Sequence, residues 1–320
     1  DGVHARGGVL DEHQVFRSLT RMSGDSPLPP GFILEIHTSA TPQLASTNPP
    51  EAAMSFPIED SPLTGFSKRS PTPNPSWILE MEQEIEPYRL AILTCPLVQE
   101  ASNGILPLGV MQSWMIQLYP FIETFPHWIA LNIAKTEDAS SRGFMIDNIR
   151  VEKRHAEQWV NMAQGFGAAP NVLRTVIPLP EVDALTHWLW SINTKGSLAE
   201  GVAATNYAIE GITHDIAMLT VKGFPAYARY EEVRLNKKTY GWMAAHAHYD
   251  DMHPIQAMEV VKRYTTTPEQ IRKVRFAIQR SLEYMLLALT ACYQWAPVGS
   301  ERQKFSEHEV LPDAAPALQG

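Results

Sequence analysis

Apolar residues return about every 3.6 positions through eight segments between Trp77 and Trp295: 77–99, 108–133, 141–166, 183–194, 197–221, 224–235, 240–263 and 268–295. No run alternates with the period of two that a half-buried strand needs, and no segment repeats another. The pattern restricts the domain to an all-α bundle of about seven to eight helices, a layer architecture of helix on helix. Start signals agree. Ser76 stands before Trp77 as a candidate N-cap, and Thr267-Pro268-Glu269 reads as an N-cap followed by proline at the first helical position. Breaks fall at Asn103-Gly104, Gly165-Phe166-Gly167, Lys195-Gly196 and Lys222-Gly223-Phe224-Pro225.

Residues 1–76 read differently. They are rich in Pro, Ser and Thr (SPLPPGF, TSATPQLASTNPPEAA, SPTPNPS) and keep no period. Such a leader buries too little apolar surface to offset the entropy of ordering, so it is expected to be largely extended or disordered. It opens without methionine, with Met22 and Met54 as candidate natural starts. The folded domain is expected over 77–300 and a C-terminal tail over 301–320. The net charge of −9 argues against bulk attraction to nucleic acid or an anionic membrane, yet leaves carboxylates for a cation. No apolar run reaches the roughly 18 residues of a membrane span, and no signal peptide opens the chain. Two cysteines, Cys95 and Cys292, exclude a disulfide scaffold and fit a reducing, cytoplasmic setting.

In segment 240–263, His246, Asp250 and His253 fall at i, i+4 and i+7, one face of a helix. Two imidazoles and a carboxylate are a ligand set of non-haem iron. Segment 141–166 adds Glu152 and His155 at i, i+3, a Glu-x-x-His pair of the kind bundles use to present a carboxylate and an imidazole. Segment 197–221 adds Glu210 among Tyr207, Ala208, Ile209 and Ile212, apolar surroundings in which an ionised carboxylate needs a partner. Together these three carboxylates and three imidazoles match the needs of two divalent irons with room for dioxygen. Each piece also has a plainer reading. Glu152 and His155 alone are commonly a solvated pair, Glu210 an exposed or ion-paired residue, and the triplet an N-cap or surface cluster. His214, four residues after Glu210, is the rival ligand. His248 and Asp251 point off the face of the triplet and read as supporting or surface residues. His127 reads as packing beside Pro126. Trp114, Trp128, Trp159, Trp188, Trp190 and Trp242 read as core, one or two of them lining a cavity.

The order and spacing of these pieces resemble the haem-oxygenase-like diiron oxidases and oxygenases. NIRVEKRHAEQWVNMAQGFG is similar to the family's N-[LI]-x-x-E…H-x-x-[LQ]-W…[FA]-x-G-[LF]-G stretch, and NYAIEG to its Y-x-x-E-G segment. HAHYDDMHPIQAMEVV resembles its H-x-x-x-D-x-x-H-P helix, and FIETFPHW an earlier aromatic and Phe-Pro segment. The likeness spans residues 77–295. It implies a haem-oxygenase-like bundle and two Fe(II) per chain on Glu152, His155, Glu210, His246, Asp250 and His253, with dioxygen as co-substrate. It also implies a second iron that binds weakly and loads with substrate, an external electron donor and a homodimer. Substrates would be small molecules such as amino acids, their derivatives or fatty acids, in specialised metabolite biosynthesis. The short Glu-x-x-His spacing resembles the fatty-acid decarboxylase branch that forms a terminal alkene. It favours oxidative C–C cleavage or desaturation of a small carboxylate over N-oxygenation.

Relatives on the same fold are set apart by residues. Thiaminase II uses a cysteine from the middle of the bundle, and no cysteine lies between 95 and 292. Haem oxygenase needs one axial histidine and no carboxylate cluster, and pyrroloquinoline quinone synthase works without metal. A ferritin-like site would want two Glu-x-x-His motifs. A rival of another class is a metal-free helical binding or regulatory protein, in which Glu152, Glu210 and Asp250 pair with Arg150, Arg154 and Arg263. A mononuclear hydrolase on 246, 250 and 253 would leave Glu152 and His155 unused.

Overall fold

The computed structural model describes residues 71–248 and 253–295. The expected leader (save 71–75), the expected tail, Asp250 and Asp251 lie outside the described residues. Among the described residues every regular element is helical, as the apolar period requires. Twelve α-helices appear there because four of the long periodic runs are interrupted and one short helix went unread. They are α1 (Ser76–Leu93), α2 (Pro96–Ser102), α3 (Leu108–Ile133), α4 (Ala139–Glu152), α5 (His155–Gly165) and α6 (Pro170–Thr175). Then follow α7 (Pro180–Lys195), α8 (Leu198–Val202), α9 (Glu210–Thr220), α10 (Lys237–His248), α11 (His253–Tyr264) and α12 (Pro268–Gln294). A π-helical stretch, Ala203–Ile209, joins α8 to α9, and a 3₁₀ stretch, Val221–Arg229, occupies most of the run expected at 224–235.

The interruptions have local causes. Pro96 cannot donate to the preceding turn, so the first run stops and restarts with proline at the start of α2. Ser76 is not the cap of α1; Pro75 holds that place and Ser76 is already helical. Thr267 does cap α12, in a box with Gln270 and with Pro268 at the first helical position.

Helix α3 runs through the middle of the bundle against α4, α5, α6, α7 and α12. Its buried face carries Trp114, Phe121, Phe125 and Trp128. Pro120 and Pro126 each remove one backbone hydrogen bond, to the carbonyls of Ile116 and Ile122, so the ladder is weakened on both sides of a short aromatic stretch. Thr124 donates its hydroxyl to the Pro120 carbonyl at 2.7 Å.

Helices α5 and α10 lie antiparallel. Gly165 meets Thr239 at one end, Trp159 meets Trp242 in the middle at 4.6 Å between ring centroids, and His155 meets His246 at the other end at 4.4 Å. Gly165 makes the close approach: a Cβ there would fall 2.3 Å from Thr239 Oγ1. The Gly165 carbonyl also accepts a hydrogen bond from the backbone N–H of Arg234 at 2.7 Å. A residue without a side chain at 165 thus sets how near the two histidine-bearing helices come.

Candidate metal centre

Glu152 is the last residue of α4 and His155 the first of α5. The single helix expected over 141–166 is therefore two, but the junction at Lys153 and Arg154 stays in the right-handed helical region, so the i, i+3 geometry survives. Glu152 Oε2 lies 2.8 Å from His155 Nδ1. His246 comes from α10. One ligand atom from each of Glu152, His155 and His246 lies within 4.8 Å of the others, and all three residues are buried.

The two imidazoles are held in useful tautomers. His246 Nδ1 sits 2.9 Å from the Trp242 carbonyl. A carbonyl only accepts, so Nδ1 carries the proton and Nε2 keeps its lone pair. An ionised Glu152 does the same for His155 Nδ1. The Trp242 ring stacks on His246 with centroids 3.8 Å apart, fixing the plane of that imidazole. One carboxylate and two neutral imidazoles in a buried cluster are the donor set that suits a non-haem ferrous ion, so these residues fit iron.

A cavity of about 280 Å³ opens on the triad. Phe121, Ile122 and Phe125, from the proline-flanked stretch of α3, line it together with Trp242 and Thr213. Glu210, the first residue of α9, is in the same wall and buried. Its carboxylate accepts from the side-chain amide of Asn148 at 2.9 and 3.3 Å. The structure thus gathers Glu152, His155, Glu210 and His246 around one space. His253 starts α11 and is buried edge-on to Phe144, at 6.4 Å between centroids, outside the triad and the cavity lining. Helix α10 is described to His248 and α11 from His253, so the single helix expected over 240–263 is represented by two, and Asp250 falls in the gap between them. His214, the rival ligand, places Nδ1 2.8 Å from the His246 backbone carbonyl, where it clamps α9 to α10.

Sequence reasoning did not single out Asn148 or Thr213. Asn148 was findable by position: it is one turn before Glu152, on the same face of α4. Arg150 pairs with Asp147 at 2.6 Å and Arg263 with Asp138. Both cysteines are buried with free thiols, and neither lines the cavity. Burial pushes both thiols above the usual range, so neither is poised as a nucleophile.

Residues 112–285, more than half of the chain, match the family described as iron-containing redox enzyme. The chain belongs to that family. Among solved structures, a TenA homolog of Pseudomonas syringae pv. tomato shares 31% identity with this iron-containing redox enzyme family member, over 74% of this chain and 99% of its own, with a TM-score of 0.64. A domain of unknown function with a haem-oxygenase-like fold from Shewanella denitrificans is 18% identical over 72% of this chain and 94% of its own, at a TM-score of 0.59. A CADD-like protein of unknown function from Nostoc punctiforme is 17% identical over 70% and 98%, at 0.55. The latter two share the fold. No curated protein matches the sequence. The haem-oxygenase-like, all-α architecture read from the residues is the architecture of this family member.

Proposed function

We propose that this protein is a non-haem diiron oxidoreductase that uses dioxygen on a small carboxylate, amino-acid-derived or a fatty acid. The favoured outcome is oxidative C–C cleavage or desaturation, in specialised metabolite biosynthesis, with N-oxygenation of an amino-acid derivative as the alternative. The observation that carries the reading is the buried meeting of Glu152, His155 and His246, with Glu210 in the wall of the same cavity. Iron bound there would supply the redox chemistry that side chains lack. On this reading Glu152, His155 and His246 hold one ion, and Glu210, Asp250 and His253 are assigned to the other.

The remaining work falls to the chain. Phe121, Ile122, Phe125 and Trp242 keep the space apolar and exclude water. A volume near 280 Å³ lies at the small end of ligand pockets and favours a compact substrate or one end of a longer one. The lining contains no lysine or arginine, so a substrate carboxylate would be held by cations at the Glu152 and Glu210 side. A cytoplasmic setting, an external electron donor and a homodimer belong to the same reading; no described helix is long and apolar enough to cross a membrane.

Anaerobic titration with Fe(II) tests the proposal. The parent should take up close to two equivalents and give a transient visible absorbance on mixing with oxygen. His246→Ala and Glu210→Ala should each abolish that transient. An iron-free parent, or two variants that behave like the parent, would overturn the assignment.

A further inference from the structure

Glu210 is held by a neutral group. Asn148 and Glu210 are both almost fully buried, at 1% and 3% exposure. The Asn148 side-chain nitrogen reaches both oxygens of the carboxylate, at 2.9 and 3.3 Å. Two donor hydrogens on one nitrogen meeting two acceptors fix the plane of the carboxylate as well as its position. An arginine or lysine in that place would orient the group and also cancel its charge. An amide orients it and leaves the charge intact, and a buried charge favours a cation beside it.

The position of Asn148 adds to this. It lies one turn before Glu152 on α4, on the same face. One helix therefore supplies a carboxylate of the triad directly and aims a second carboxylate, from α9, indirectly. The distance between the two acidic groups is set by the rise of a single helical turn rather than by the packing of two independent helices.

We propose that Asn148 is a positioning residue: its amide presents the Glu210 carboxylate to the second of the two cations and leaves that carboxylate's charge for it. This rests on the two-cation reading above. Supporting hydrogen bonds to ligating carboxylates commonly tune metal affinity by about 10- to 100-fold, and preorganised supports matter most where the site is tight.

The experiment is an anaerobic titration with Co(II), followed by visible absorption and by calorimetry, with circular dichroism to verify folding. The parent should bind two equivalents, and Glu210→Ala should keep the first and lose the second. Asn148→Leu, similar in size and without a donor, should weaken the second equivalent about 10- to 100-fold. The affinity and spectrum of the first should be unchanged. Asn148→Ser, smaller and still a donor, should weaken the second in the same direction by less, and decides the matter if the leucine variant does not fold. A purely structural role would move both equivalents together or neither. Folded Asn148 variants that bind both ions like the parent, or lose both alike, overturn the proposal, as does failure of both variants to fold. A parent that binds no Co(II) would instead defeat the two-cation reading itself.

Discussion

Asp138 shows what one side chain contributes around this centre. It caps α4, accepting from the backbone N–H of Ser141 at 2.7 Å, and also pairs with Arg263 of α11. The Ser141 hydrogen bonds, and then Arg263, hold its carboxyl below the usual aspartate range. A depressed folded value means that the stabilisation is fully present above the unfolded value, about pH 4. It fades as pH falls through the lower folded value. Asp138→Ala should therefore cost about 1 kcal/mol near neutral pH, and the gap from the parent should narrow in urea titrations near pH 3. A gap that widened in acid would contradict the cap. The two thiols give a second check at this scale. Cys95 and Cys292 should resist a disulfide reagent in the native protein and both react after denaturation; a fast native thiol would contradict their burial. The ligand candidates were legible in the sequence because histidine and glutamate at helical spacings are chemically conspicuous. Asn148 was not, because a neutral amide one turn from a carboxylate looks like any polar helix residue. What gives it meaning is Glu210, sixty-two positions away.

Helices add what spacing alone cannot. The apolar period marked 108–133 as a helix and α3 has those bounds, despite two prolines, because its buried face continues through both. The same period hid the junction at Lys153 and Arg154, since a turn that keeps right-handed backbone leaves the apolar stripe in phase. It also hid the π stretch at 203–209: a hydrophobic face looks alike whether its hydrogen bonds span four residues or five. That wider winding, directly before Glu210, sets which way the carboxylate faces. The pairing of α5 with α10 makes a quantitative prediction. Gly165→Ala would drive a methyl group against Thr239, at 2.3 to 2.8 Å from its side-chain atoms. Overpacking of this kind should cost roughly 1–3 kcal/mol and weaken uptake of the first Fe(II), because His155 and His246 ride on those helices. Adding Thr239→Ala should recover part of the loss, a coupling measured by a double-mutant cycle of urea melts. Additive costs would show that the two helices are not in register through this contact.

For the whole molecule, the decisive fact is that the cavity gathers donors from three separate stretches of chain: Glu152 and His155, Glu210, and His246. An unfolded chain cannot hold them together, so cation binding and folding are linked. At free metal about 100-fold above its dissociation constant, the gain is about 2.7 kcal/mol. In a domain of this size that corresponds to a rise of roughly 5–10 °C in melting temperature. The same architecture places two buried carboxylates, Glu152 and Glu210, around one small apolar space, where like charges raise the energy of the metal-free fold. Glu210→Gln keeps the shape and can still accept from Asn148, while removing one charge. It should therefore melt higher than the parent in the presence of a chelator and lower than the parent in excess Fe(II), so the two pairs of anaerobic melting curves cross. A variant that is less stable without metal, and gains as much from iron as the parent does, would mean that Glu210 serves the fold and not the cation.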